Sequence, residues 1–334
     1  MKSLQWALPL LLVSSLAAAQ TVTDDSGQRV EIKRPAQHIA DAWFAHHSLL
    51  MTLGAGDCIV ATVNHPADRP WMFKVQPSLN QALQAHGKTF ASEALVVRHV
   101  DAVFVPANDP DAESYRLAGI PVLAMNFDDF DSMKRSLITT AKVVGTSAAA
   151  SRAQAYNQYL DEQIATIQAK TAGLTDAQRP RVLHIQSLHP LKVDGRNTLI
   201  DTWIKLAGGR NVASGINGNM QPISPEDVIR WNPDVIIIGA GAGTLDGSDD
   251  GTLFASVSAV QHHRVLQNPS GVFPWDRYGT EVALQIQWAA KQLHPTLFPQ
   301  LDMVTATQAF YRQFYDYSLS ASDAQRILQA LPPE

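Results

Sequence analysis

Apolar residues along this chain keep two rhythms. Short unbroken runs recur at Ile39-Ala40, Cys58 to Val63, Ala102 to Val105, Pro121 to Met125, Val182 to Ile185, Val235 to Ile238 and Arg264 to Leu266. Such runs, bounded by polar and Gly/Pro residues, predict strands buried on both faces. Between them the spacing changes to three and four, predicting helices over 92–97, 198–206 and 281–293 and a largely helical C-terminus. The longest helical stretch runs from Ser147 to about Lys170, with Ala149, Ala153, Tyr156, Leu160, Ile164 and Ile167 on one face. Ser147 is the expected N-cap, Gly145-Thr146 ends the preceding helical run, and Gly173 closes the segment. At about 1.5 Å per residue this is a rod of roughly 36 Å, long enough to cross between two lobes. Thr21 to Ile32 reads as two strands about the turn Asp25-Ser26-Gly27.

The two sides of the rod share a grammar. Ser92-Glu93 is followed by Arg98, Asp101 and the strand Val103 to Val105; Ser224-Pro225-Glu226 is followed by Arg230, Asp234 and the strand Ile236 to Ile238. The step from Glu93 to Asp101 equals the step from Glu226 to Asp234. Strands alternating with helices imply mainly parallel sheets with crossover helices. The expected organisation is an α/β lobe over 20–145, a bridging helix over 146–172 and a second α/β lobe over 173–334.

Composition narrows the class. The 334 residues, 46% apolar and 17% charged, suit about two globular domains. A net charge of -5 gives no basic field for nucleic acid. Residues 1–19 carry Lys2, an apolar stretch to Leu16 and then Ala17-Ala18-Ala19-Gln20, the layout of a secretory signal with cleavage expected after Ala19. No later run is long enough to span a bilayer. No cysteine follows the expected cleavage site, so a lipid anchor there is not expected. Cys58 is the only cysteine and is read as a small buried apolar residue without an intrachain disulfide. An exported chain without disulfides points to a bacterial periplasm.

Three stretches, Leu206-Ala207-Gly208-Gly209, Ser224-Pro225-Glu226-Asp227-Val228 to Pro233-Asp234-Val235-Ile236, and Asn268-Pro269-Ser270-Gly271-Val272-Phe273-Pro274-Trp275-Asp276, resemble the class III periplasmic substrate-binding proteins of ABC importers, over nearly all of the chain beyond residue 19. The last stretch looks most like the branch that carries iron complexes. The resemblance implies two α/β lobes bridged by one rigid helix, a ligand in the cleft between them, an inner-membrane ABC permease as partner and a monomer. It also implies that Glu93 and Glu226, at the tips of the lobes, engage permease arginines. The competing reading is that each glutamate merely favours the positive end of its helix.

Ligands of parallel sheets sit beyond the carboxyl ends of the strands. That selects the loops 41–47, 64–71, 107–110, 126–130, 186–190, 239–247 and 271–278. Trp43, Phe44, Trp71, Trp275 and Tyr278 offer flat apolar surface; His46, His47, His65, Arg69 and Arg277 offer positive or switchable charge; Asn64, Asn108, Gln186 and Asp276 offer hydrogen bonds. Aromatic walls with a few placed polar groups suit a sizeable organic ligand, and arginine adds anion pairing. The expected ligand is a ferric siderophore, an Fe(III) chelate taken as cargo with no resident cofactor. Packing or capping is the competing role for Trp43 and for His46-His47, while Trp203, Trp231 and Trp288 read as core and His262-His263 as exposed. A bare metal ion held by His46, His47 and His65, haem held by Tyr278 or His46, and an oxyanion such as molybdate remain open. The chain has no His-Glu-x-x-His, P-loop or Gly-x-Ser-x-Gly pattern, so no enzyme is expected; its eleven histidines leave a metal-dependent hydrolase as the remote alternative.

Overall fold

A computed structural model describes residues 19–245 and 249–334. The expected signal segment up to residue 18, and the end of the 239–247 loop, lie outside the described residues. The described part opens with an antiparallel hairpin, β1 (Gln20–Thr23) and β2 (Arg29–Ile32). The first lobe then runs through β3 (Ile39–Asp41), α1 (His47–Thr52), β4 (Ile59–Thr62), α2 (Pro70–Val75), β5 (Leu83–Gln84), α3 (Ser92–Val97), β6 (Ala102–Pro106), α4 (Ala112–Leu117), β7 (Val122–Met125) and α5 (Phe130–Val144). Its strands form one all-parallel sheet in the order β5-β4-β3-β6-β7.

The long helix α6 (Ser147–Thr171) follows. The second lobe contains β8 (Arg181–Ser187), β9 (Lys192–Val193), α7 (Leu199–Leu206), β10 (Arg210–Asn211), β11 (Gln221–Pro222), α8 (Pro225–Trp231), β12 (Val235–Ile238), α9 (Asp249–Leu253), α10 (Ser258–Gln261), β13 (Val265–Gln267), α11 (Val282–Leu293), α12 (Met303–Phe314) and α13 (Ala321–Leu328). Its sheet has the order β11-β9-β8-β12-β13, with β10 also along β8; β8, β10, β12 and β13 are parallel, and β9 runs antiparallel to both of its neighbours, β8 and β11. The fold is α/β with mainly parallel central sheets.

The repeated aspartate has a structural cause. Asp101 stands just before β6 and accepts from the backbone N–H of Gln37 and His38 and from Arg34. Asp234 stands just before β12 and accepts from the N–H of Arg181 and from its guanidinium. In each lobe the aspartate ties the start of one central strand to its neighbour.

The join between α5 and α6 is tight. Gly145 ends α5 at φ 72°, and a Cβ there would sit 3.0 Å from Pro35. Thr146, not Ser147, caps α6: its extended backbone lets its hydroxyl accept from the Ala149 N–H at 3.1 Å, and Ser147 is already helical. Ala149, Ala153, Tyr156, Leu160 and Ile167 are buried on one face of α6, as their spacing predicts.

One hydrophobic core runs through both lobes, from Leu49 and Leu50 of α1 and Leu53 just after it, past Tyr156 and Leu160, to Val282 and Ile286 of α11 and Phe310 and Phe314 of α12. Polar contacts pin the same junction. The Thr280 N–H donates to Ser48 Oγ at 3.1 Å, the Thr52 hydroxyl donates to Thr280 Oγ1 at 2.8 Å and the Tyr156 hydroxyl donates to the Thr280 carbonyl at 2.6 Å. A second strap comes from the C-terminus, where Trp71 Nε1 donates to the Leu331 carbonyl at 2.9 Å.

Candidate ligand site

The carboxyl ends of β3, β4, β6 and β7 in the first lobe and of β8, β12 and β13 in the second carry the loops picked from the sequence. The structure divides their residues into an outer set and a buried set. Trp43, His65, Arg69, Arg277 and Tyr278 are half-buried, and Trp43 and Arg69 meet residues of the second lobe. The Tyr278 ring lies 6.3 Å from Trp43 and 5.7 Å from Phe127, centroid to centroid, so one lobe's tyrosine closes on the other's aromatics. The Asn219 amide donates to the Tyr278 hydroxyl, which brings the polar loop before β11 to the cleft edge. Burial raises the Tyr278 pKa to about 12, so the phenol stays protonated.

Four of the expected residues are interior instead. His46 is fully buried, with Nδ1 3.0 Å from Asp41 Oδ2 and Nε2 2.9 Å from Thr140 Oγ1. His47 is also buried, between the Trp43 carbonyl, Asp41 and Thr62 Oγ1, and burial pulls its pKa down. Both ring nitrogens of each histidine are used within the first lobe, so neither is free for a metal or haem. Trp71 lies inside α2 rather than in a loop and is 2% exposed. Trp275 is fully buried, its indole N–H satisfied by donating to Glu281 at 3.0 Å. His65 pairs with Gln84 Oε1 at 3.1 Å, and among the described residues no three His, Cys, Asp or Glu groups converge to hold a metal ion.

Glu281 shapes the 271–278 loop. Its carboxylate accepts from the N–H groups of Val272 and Phe273, from Trp275 Nε1 and from the Tyr311 hydroxyl. Gly271 leaves the room this needs, since a Cβ there would sit 2.1 Å from both Glu281 and Tyr311 oxygens. Burial outweighs these bonds and lifts the Glu281 pKa to about 7.

Beneath the cleft floor lies a charged relay absent from the sequence reading. His184, fully buried in β8, has Nδ1 2.9 Å from Asp194 Oδ2 and Nε2 2.7 Å from Asp276 Oδ2. Burial opposes its charge, but the two carboxylates win and hold its pKa at about 9, so both nitrogens donate. Arg277 Nη1 reaches Gln186 Oε1 at 2.5 Å and lies 3.7 Å from Asp194. Arg69 differs: it stacks 4.9 Å over Phe273 of the other lobe, spends Nη1 on the Asp68 carbonyl and leaves Nε buried without a partner among the described residues. It opens onto a cavity of about 230 Å³ between the lobes, walled by Gly241, Ser270, Pro274 and the tail residues Leu331 and Pro332. The signal for the relay was one histidine inside the run Val182-Leu183-His184-Ile185, since a buried ring needs partners.

The family model described as periplasmic binding protein matches residues 49–270. The chain belongs to the periplasmic binding protein family. The ABC transporter substrate-binding lipoprotein YvrC of Bacillus subtilis is 21% identical over 84% of this chain and 87% of its own length. A cobalamin-binding protein of Halobacterium salinarum is 30% identical over 51% of this chain and 46% of its own length. In structure, the molybdate-binding protein MolA of Haemophilus influenzae, solved with molybdate bound, superposes with a TM-score of 0.80 at 18% identity, covering 90% of this chain and 99% of that one. Similar folds are class III binding proteins of ABC importers. The chain is thus a substrate-binding protein of the ABC-transporter type, from a family of extracytoplasmic, transport-associated binders rather than enzymes.

In this binding protein Glu93 and Glu226 are both exposed in the first turns of α3 and α8. Neither acts as a cap. The α8 capping box is made by Ser224 and Asp227, and α3 has no side-chain cap. Neither glutamate makes a hydrogen bond or ion pair among the described residues. Exposed apolar side chains flank each: Val96 and Val97 beside Glu93, Ile229 beside Glu226.

Proposed function

We propose that the protein is a periplasmic receptor, exported by its N-terminal signal, that binds an anionic metal complex between the lobes and presents it to an ABC permease. The complex is a ferric siderophore. The observation carrying this reading is the meeting of Trp43, Phe127 and Tyr278 beside the guanidinium of Arg277. Flat rings next to an arginine suit an aromatic anion such as a catecholate chelate. The chelate enters by parting Tyr278 from Trp43 and Phe127, with Arg277 and Arg69 facing its charge. No bond of the ligand is made or broken. Glu93 and Glu226, exposed and without side-chain partners among the described residues, set the docking orientation on the permease.

One observation favours a smaller ligand. The cavity beside Arg69 is about 230 Å³, below the roughly 300–1,000 Å³ of sites for drug-sized molecules. The unpartnered Nε of Arg69 also suits an oxyanion of the molybdate kind. Alanine at each arginine separates the readings. For a chelate spread over the cleft, Arg69→Ala and Arg277→Ala each weaken binding about tenfold or more. For an oxyanion in the cavity, Arg69→Ala alone abolishes it. Unchanged affinity for a ferric catecholate in both variants rejects the site.

A further inference from the structure

The second lobe carries another positively charged pocket, at the opposite end of its sheet. Arg181 begins β8, Arg210 begins β10, and Asp234 and Arg264 stand directly before β12 and β13. These are the amino ends of the parallel strands, whereas the cleft lies at their carboxyl ends. There Arg179, Arg210, Arg264, Asp234, Gln178, Ser258 and His262 line a pocket of about 410 Å³.

Its charge is unbalanced. Asp234 is the one carboxylate in the lining, and Arg181 engages it at 3.0 Å as part of the strand tie. Arg179 and Arg264 have no carboxylate. Each donates to backbone carbonyls, Arg179 to Leu174 and Thr171 and Arg264 to Gln292. A guanidinium has five N–H donors, so both keep several. The Arg210 guanidinium makes no hydrogen bond or ion pair among the described residues and is exposed. The field of Arg179 and Arg264 helps burial to lower the pKa of nearby His294. Arg179, Arg210 and Arg264 thus surround one hollow whose one lining carboxylate among the described residues, Asp234, is already paired with Arg181 and also feels the Arg210 charge, on a chain whose net charge is -5. At the corresponding pole of the first lobe the charge is paired: Asp101 meets Arg34 at 2.7 Å and His38 at 3.8 Å.

We infer that this pocket is a second anion site, distinct from the cleft, for a small multiply charged oxyanion of the phosphate or sulfate class. Arg179 and Arg264 are held in place by their carbonyl bonds, and Arg210 closes as the third donor. Ser258 adds a hydroxyl. Planar guanidinium forks match tetrahedral oxyanions in a way that scattered surface lysines do not.

The test is calorimetric titration of the purified protein with inorganic phosphate and with sulfate at constant ionic strength. The expected result is saturable binding at one site. Arg210→Ala should weaken it about tenfold, a typical loss for one charge-assisted contact, and Arg210→Lys should recover part of that. Because the Arg210 side chain holds nothing in place, its variants should melt like the parent; Arg264→Gln serves as a second variant. Arg69→Ala and Arg277→Ala should leave phosphate binding unchanged. Heat that never saturates, or binding lost in the cleft variants but kept in Arg210→Ala, overturns the proposal. So does binding to vesicles of anionic phospholipid without binding to free phosphate or sulfate, which would place the charge on a lipid.

Discussion

At the scale of single residues, the buried histidine of β8 should govern how stability varies with pH. His184 holds its proton up to about pH 9 in the fold, whereas an unfolded histidine releases it near the ordinary value of 6.5. The folded state therefore binds more protons between these limits. The stabilisation is complete below 6.5 and is lost as pH rises through 9. Glu281, raised from 4.5 to about 7, acts in the same direction over a lower window. Urea midpoints measured from pH 6.5 to 9.5 should fall steadily in the parent. His184→Gln should lower stability at pH 6.5 by about 3 kcal/mol, because it strands two buried carboxylates, and should flatten that slope. An unaltered slope would mean that the relay does not hold its proton. Residue roles were the least legible layer of the sequence. Half-buried loop residues such as Arg69, Arg277 and Tyr278 could be named as candidates by residue type and place. His46, His47 and Trp275 could not be excluded, because their partners Asp41, Thr62, Thr140 and Glu281 meet them only once the chain has folded.

At the scale of elements, period and run length were enough to place the central strands and the long helix. Boundaries depended on local chemistry that spacing does not encode. The sequence favoured Ser147 as the cap of α6, whereas the backbone at Thr146 makes Thr146 the acceptor. Thr146→Ala should therefore cost about 1 kcal/mol and Ser147→Ala only a few tenths, read from denaturation midpoints. Equal losses would remove the distinction. Helix α2 escaped notice because Pro66 and Pro70 suggested a loop. Pro70 stands at the first helical turn, where its missing N–H costs nothing, and the helix it starts buries Trp71 against the tail. Cys58, expected to be buried, is only half-buried at the end of a short 3₁₀ turn.

At the scale of the whole molecule, the continuous core and the Ser48–Thr280–Tyr156 contacts make the lobe junction a packed joint rather than a loose hinge. Ligand binding should therefore move side chains such as Tyr278 more than whole lobes. The two-lobe architecture was readable because alternating runs and one long period suffice to define it. The straps across the lobes were not, since Leu331 and Trp71 lie 260 positions apart. Docking belongs to this scale too. Replacing Glu93 and Glu226 together with Ala should abolish ligand uptake by cells while leaving affinity in solution intact. A parallel fall in affinity would contradict a docking role.

The central claim, an anionic metal complex held by aromatics and arginine between the lobes, is tested most directly by tryptophan fluorescence. The purified protein would be titrated with ferric catecholate and hydroxamate siderophores, haem, cobalamin, molybdate, zinc and nickel. The account predicts saturable quenching by a ferric chelate, diminished in Trp43→Phe and weakened in Arg277→Ala, with bare zinc and nickel silent. A response confined to a bare ion, or to molybdate, would contradict it.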